Sequence, residues 1–355
     1  MQLGRNQDDP AQPLALEPAE RDLEAWRALA LALEENAGRV ILGLPRAVRL
    51  ITIATFARGH VLLQGDVGVG KTTLLRAFAH LIGGAFSRVE GTVDLMPSDL
   101  VYYTYVTGEG RPAVDPGPLL RHGEDLAIFF FNEINRARPQ IHALLLRVMA
   151  ERSVSAFNRE YHLPHVLVFA DRNRLEREET FEISAAARDR FMMEISVEIP
   201  KDDDTRCALM SDPRLHSTDT LIDSLPKAIL PHRDLNAIAA AIQREVQASP
   251  TLQRYVLDLW NATVRPADYG IRLDGADTRE LVLAGASPRG MSMLMQAGRV
   301  SAWLAGRSFV TPEDIRNVFA EVIGHRLHFQ PVYELRHNQV GAQLMRGILD
   351  HVAAP

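Results

Sequence analysis

The chain has a single cysteine in 355 residues, Cys207. One thiol excludes an intramolecular disulfide and a cysteine-based zinc site, and it suits a reducing cytosol. With no partner in the sequence, Cys207 reads as a small apolar residue rather than a nucleophile. Long apolar runs are missing too: no stretch approaches the ~20 consecutive apolar residues that a bilayer span needs. Residues 1–18 are polar and proline-bearing with no apolar signal core, so they read as a disordered tail. These absences predict a cytoplasmic protein with no membrane insertion. There is no excess of basic residues either: 39 Lys and Arg stand against 45 Asp and Glu, a net charge of −6, so nothing draws the whole chain toward nucleic acid. The histidines show no paired ligand spacing near carboxylates, and no structural metal is expected.

What is present is a globular composition, 46% hydrophobic, in a chain long enough for two domains. Its most informative run is His60 to Thr73, an apolar strand ending in Gly65-Asp66-Val67-Gly68-Val69-Gly70-Lys71-Thr72 and followed at once by the helix-forming Leu74 to Ala79. Gly-x-x-x-x-Gly-Lys-Thr between a strand and a helix is the context of a phosphate-binding loop. Gly65, Gly68 and Gly70 let backbone N–H groups converge on a phosphate at the positive end of a helix. Lys71 then reaches the terminal phosphates and Thr72 ligates Mg²⁺, with Asp66, Val67, Val69 and Thr73 completing the cradle. An incidental glycine loop is the competing reading.

Upstream, Ala19 to Ala37 has helical spacing and Gly38 is expected to stop it. Arg39 to Gly43 is expected to be extended, with Val40 and Ile41 placed either against a base or beneath the first strand. Leu44 to Arg58 reads as a second helix. Downstream, Ala85 to Glu90 reads as a strand, and Asp94 to Pro118 is glycine- and proline-punctuated loop and short-helix material, long enough for an inserted functional element. Ala127 to Phe131 is a continuous apolar run, the mark of a parallel strand covered on both faces, ending in Asn132-Glu133. A carboxylate there can hold Mg²⁺ or polarise water. Gln140 to Glu151 reads as a helix, and Arg152 to Pro164 as a hairpin turning at Asn158-Arg159. His165 to Ala170 is a strand ending in Asp171-Arg172-Asn173, Ala185 to Phe191 is helical, and Met193 to Ile199 is a strand. Alternating strands and helices predict a parallel sheet with helices on both faces. Four further apolar-striped helices follow: Asn236 to Val246, Leu252 to Ala262, Met291 to Ala305 and Pro312 to Arg326.

With these pieces in order, the sequence resembles the MoxR family of AAA+ ATPases over nearly its whole length. Gly65 to Thr72 matches Walker A, Asn132-Glu133-Ile134-Asn135-Arg136-Ala137 matches Walker B, and Asn173 matches sensor 1. Asp189-Arg190-Phe191 matches the arginine-finger motif, and Gly285-Ala286-Ser287-Pro288-Arg289 matches sensor 2; Asp94 to Asp99 and Val310 to Asp314 also fall at the family's spacings. The resemblance implies an α/β P-loop domain over 19–200 with a five-stranded parallel sheet, a helical insert over about 94–123 and a hairpin over about 152–164. It implies an all-α lid over 201–355 and a homo-oligomeric, hexameric ring with ATP and Mg²⁺ between subunits. Glu133 would activate water, Asn173 would hold that water or the γ-phosphate, Arg190 would reach in from a neighbouring subunit, and Arg289 would report phosphate loss to the lid. A partner with a von Willebrand factor A type domain and a protein client are further implications.

Three departures stand out. Asn132 replaces the Walker B aspartate, which predicts a weaker Mg²⁺ site with nucleotide still bound and hydrolysis that is slow or needs high Mg²⁺, or a nucleotide-dependent scaffold in place of a motor. Asp66 puts a carboxylate in the phosphate loop. Asp171-Arg172-Asn173-Arg174 is more charged than the family's Thr-Gln-Asn-Pro. Arg136 is either a structural anchor or a subunit contact. A nucleic-acid motor is the weakest alternative, because the acidic balance opposes it.

Overall fold

The computed structural model describes residues 22–173 and 181–355. The tail expected over 1–18 and Arg174 lie outside the described residues. Five strands form one parallel sheet: β1 (His60–Gln64), β2 (Ala85–Glu90), β3 (Leu126–Asn132), β4 (Leu167–Arg172) and β5 (Phe191–Ser196), in the order β2-β3-β4-β1-β5. All seven residues of β3 are buried, which is why Phe129, Phe130 and Phe131 can follow one another where a half-exposed strand would alternate. The order sets β1, β4 and β3 side by side, so the segments leaving their carboxyl ends converge.

Helices α1 (Leu23–Val40), α2 (Pro45–Phe56) and α3 (Lys71–Ile82) cover one face of the sheet, and α4 (Pro139–Glu151) packs on the other. The C-terminal part is helical: α5 (Leu235–Glu245), α6 (Pro250–Val264), α7 (Pro288–Leu304), α8 (Pro312–Ile323) and α9 (His337–His351). This lid shares its core with the first face. Phe56 and Trp303 pack at 4.9 Å between ring centroids, the Trp303 indole donates to the Leu23 carbonyl at 3.1 Å, and Arg46 pairs with Glu321 at 2.6 Å.

Several expected boundaries move. Gly38 does not stop α1, which runs on to Val40, so Arg39 and Val40 are helical and not extended. Glycine inside a helix costs about 0.5–1 kcal/mol; burial of Ala37 and Val40 and the Arg39 contacts to Glu35 and Asn36 outweigh it. The insert expected to be helical has one short helix, Pro97–Val101, and is otherwise an antiparallel hairpin pairing Tyr102–Val106 with Pro112–Pro116. Its Tyr-Tyr-Thr-Tyr-Val run is strand-forming, and a Gly-containing turn joins the arms. In the second hairpin the turn is Phe157-Asn158, with φ of 51° and 58°, and Arg159 already pairs with Ala156. The helix expected to reach Phe191 ends at Arg188, because Phe191 opens β5. Helix α8 stops at Ile323, and a tight turn, Gly324–Arg326, carries His325 and Arg326 back onto β5. Helix α9 was not foreseen. Cys207 lies exposed on a short helix, Asp203–Ser211, that has no buried residue.

Candidate nucleotide site

The phosphate loop leaves β1 under a close steric constraint. A Cβ on Gly65 would lie 2.4 Å from the Val197 carbonyl oxygen just past β5, so only glycine fits there. Gly70 takes φ +89° as the cap of α3, whose first residues are Lys71, Thr72 and Thr73. Their N–H groups have no partners within the helix and lie at its positive end. Val67 is 75% exposed, so the loop's outer side is open. Lys71 is buried: its ammonium donates to the carbonyls of Gly65 (2.8 Å) and Asp66 (3.3 Å) and to Asn173 Oδ1 (2.7 Å), and sits 3.2 Å from Asp171 Oδ2.

Glu133 leaves β3 in the left-handed region, φ 55° and ψ 51°, a conformation that costs a non-glycine residue free energy and has to be held by its surroundings. Two groups hold its carboxylate: Asn173 Nδ2 at 3.2 Å and Arg136 at 2.9 Å. Asn173 therefore accepts from an ammonium and donates to a carboxylate, which uses both ends of its amide. Arg136, undecided from sequence, is placed on the carboxylate proposed to activate water. The Glu133 N–H donates to Asp171 Oδ1 at 2.6 Å. Asp171 is 2% exposed, and burial raises its pKa while the Glu133 N–H and Lys71 pull it back down.

Asn132, also buried, donates its amide to Glu90 on β2 and leaves its oxygen for another partner. Among the described residues no cluster of three or more His, Cys, Asp or Glu could hold a metal alone. Mg²⁺ is commonly held by one or two carboxylates together with waters and substrate phosphates. The hydroxyl of Thr72, the Asn132 oxygen and the carboxylates of Glu133 and Asp171 are hard oxygen donors that suit it.

A second polar centre lies at the lid contact. Asp189 accepts from Ser287 Oγ (2.6 Å), from Arg289 (2.6 Å) and from Arg326 Nε (3.0 Å). Arg326 is almost fully buried, and burial pushes its pKa down to about 10 against the support of Asp189. Arg289, expected to face the phosphates, is engaged on the residue next to Arg190. Arg190 itself, half-buried, makes no side-chain hydrogen bond or ion pair among the described residues. Val40 and Ile41, 6% and 7% exposed, pack in the main core.

The sequence marked Asp171 only as unusual charge at a strand end and gave it no role. Arg326 carried no signal, because its partner is 137 residues away.

Known proteins resemble this chain in sequence and in fold. Residues 60–193 match the ATPase family associated with various cellular activities (AAA), and residues 276–344 match the AAA lid domain. Protein MoxR of Methylorubrum extorquens is 57% identical over 96% of this chain and 99% of its own length. Protein MoxR of Paracoccus denitrificans is 52% identical over 94% and 98%. The chain belongs to the MoxR family of AAA+ ATPases. Chaperone MoxR1 of Mycobacterium tuberculosis is 32% identical over 89% of this chain and 80% of its own. A solved candidate ATPase from Cytophaga hutchinsonii superposes with a TM-score of 0.80 at 27% identity, covering 94% of this chain and 97% of its own. In this MoxR-type ATPase, Lys71, Glu133 and Asn173 meet at the carboxyl ends of three neighbouring strands, joined through the Asn173 amide. No described helix is long and apolar enough to cross a membrane.

Proposed function

We propose that this MoxR-type ATPase binds and hydrolyses ATP with Mg²⁺ between the subunits of a cytoplasmic, hexameric ring. It would use the cycle as a chaperone-like remodeller that matures a client protein or metalloenzyme complex together with a von Willebrand factor A domain partner. The observation that carries the reading is the Lys71–Asn173–Glu133 chain of hydrogen bonds, which links the phosphate loop to the water-activating carboxylate through a single amide. As the γ-phosphoryl group transfers, charge spreads over its oxygens, and groups already aimed at it lower the barrier without reorganising. Lys71 would exchange its loop carbonyls for phosphate oxygens. Asn173, freed at Oδ1, would orient the water that Glu133 deprotonates. When bound at Thr72 and the strand-end oxygens, Mg²⁺ would neutralise phosphate charge. Arg190, which makes no side-chain hydrogen bond or ion pair among the described residues, suits a cation delivered to a neighbouring subunit. The roles of the remaining loop residues, Asp66 to Thr73, follow from the cradle. Val40 and Ile41, packed in the core, would support it from beneath.

The second reading is an assembly switch that binds ATP with little turnover, and Asn132 favours it because it removes a charge where Mg²⁺ would bind. Single-turnover hydrolysis with excess enzyme separates the two: phosphate release supports the motor, and stable ATP on an assembled ring supports the switch. Affinity capture with E133Q, which should hold ATP without cleaving it, tests the client reading. An unchanged set of captured proteins in all nucleotide states would remove its support.

A further inference from the structure

The site has lost one carboxylate and kept another that no motif assigns. Asn132 is neutral and turned toward Glu90, which lies on the edge strand β2 and is half exposed. Among the described residues only two carboxylates are fully buried, Asp171 and Asp314, and Asp314 belongs to the lid, where Arg307, Thr311 and Ser301 satisfy it. Asp171 is the one at the nucleotide site. The register of the sheet fixes its relation to position 132: Phe131 pairs with Ala170 across β3 and β4, so the next residues along, Asn132 and Asp171, are neighbours across the same ladder. Paired positions on adjacent strands face the same side of the sheet, with the strands about 4.8 Å apart.

Burying a carboxylate is expensive unless it is paired and hydrogen-bonded. Asp171 is both, and its two oxygens go to different parts of the machinery. Oδ2 meets the Lys71 ammonium, and Oδ1 accepts the N–H of Glu133, the residue in left-handed conformation. One side chain thereby ties the lysine of the phosphate loop to the backbone of the water-activating carboxylate. A neutral residue there would leave Lys71 with three neutral acceptors and no counter-charge.

We propose that the anionic charge of this nucleotide site sits one strand over, on Asp171 of β4 in place of position 132 on β3. There Asp171 is the positioning residue that aims Lys71, fixes Glu133 and supports Mg²⁺ with ATP. This rests on the nucleotide-binding reading above. It also changes what the asparagine means. The site is not a carboxylate short, and an aspartate restored at 132 would stand beside Asp171 as a second carboxylate in the same place.

The test measures the affinity of a fluorescent ATP analogue, with Mg²⁺ and with EDTA, for the full chain, D171N, N132D and the swap N132D/D171N. In the native chain Mg²⁺ tightens binding. In D171N, which keeps size and an acceptor for the Glu133 N–H, that metal-dependent gain falls by about tenfold, the scale of lost supporting groups around metals. N132D does not exceed the native gain, and the swap recovers to within about threefold of it, because one carboxylate again stands at the end of the two strands. A purely structural Asp171 would lower stability in D171N without any rescue by N132D. Unchanged metal gain in D171N, a larger gain in N132D alone, or no rescue in the swap would each overturn the proposal. Should D171N not fold, the swap decides alone: a folded swap with the native gain supports the inference, and one without it overturns it. No analogue binding to the native chain in any condition would instead sink the nucleotide reading itself.

Discussion

Two aspartates organise the polar interior of this molecule, and they do it differently. Asp171 joins segments leaving three neighbouring strands of one domain, and every group it touches has a place in the proposed chemistry. Asp189 joins two domains: its partners Ser287, Arg289 and Arg326 all come from the lid, while its own backbone leads straight into Arg190 and β5. The first is a local joint whose failure is expected in binding and catalysis. The second is a mechanical joint, and its failure is expected in lid docking first. Arg289 belongs to the second joint: it lies 2.6 Å from Asp189 and ties the lid to the segment that carries Arg190.

The comparison breaks most sharply at Arg190. R190A is expected to lower ATP turnover by about 10³ to 10⁵, the range for supplied arginines in phosphoryl transfer, while leaving analogue affinity of the unassembled chain close to native. A lowered affinity without a turnover defect would place Arg190 in the wrong joint. At the strand-end joint, E133Q is expected to cost about 10² to 10⁴ in turnover, the span of a lost general base, with ATP retained on the protein. Phosphate-release assays at saturating ATP, with filter binding alongside, check both variants.

How much of this was legible in the sequence divides along the same line. The strand-end joint was mostly readable because its parts are local: Lys71 follows a glycine loop, Glu133 follows an apolar run, and Asn173 follows another. Each strand end announced itself by a change from apolar to polar residues. Asp171 escaped because its importance comes from the lateral order of strands, which periodicity does not encode. The lid joint was barely readable. Ser287-Pro288 marked a helix start, but nothing local paired Arg326 with Asp189, and α9 was overlooked. The insert expected near 94–123 keeps one short helix, Pro97–Val101, and adds a hairpin, because a run of tyrosines with valine and threonine is strand-forming.

The smaller effects lie at Asp189 and separate stability from chemistry. D189N keeps the shape and removes the charge, so the buried guanidinium of Arg326 is left on carbonyl oxygens of residues such as Phe191 and Met192. Breaking a buried pair by neutralising one partner costs about 3–5 kcal/mol. Denaturant unfolding should show a loss near the lower end, because those carbonyls remain. A loss of turnover in D189N larger than the loss in stability would show that the joint also aims Arg190. The mildest variant sharpens this further. Ser287 both caps α7, accepting the Gly290 N–H at 3.1 Å, and donates to Asp189. Loss of a helix cap costs about 1 kcal/mol, so S287A should unfold about that much more easily. Repeating it in the D189N background decides what the serine is for. If the cap carries the effect, the two losses add; if the bond to Asp189 carries it, the double variant is less destabilised than the sum, because the second change removes a contact the first has already weakened.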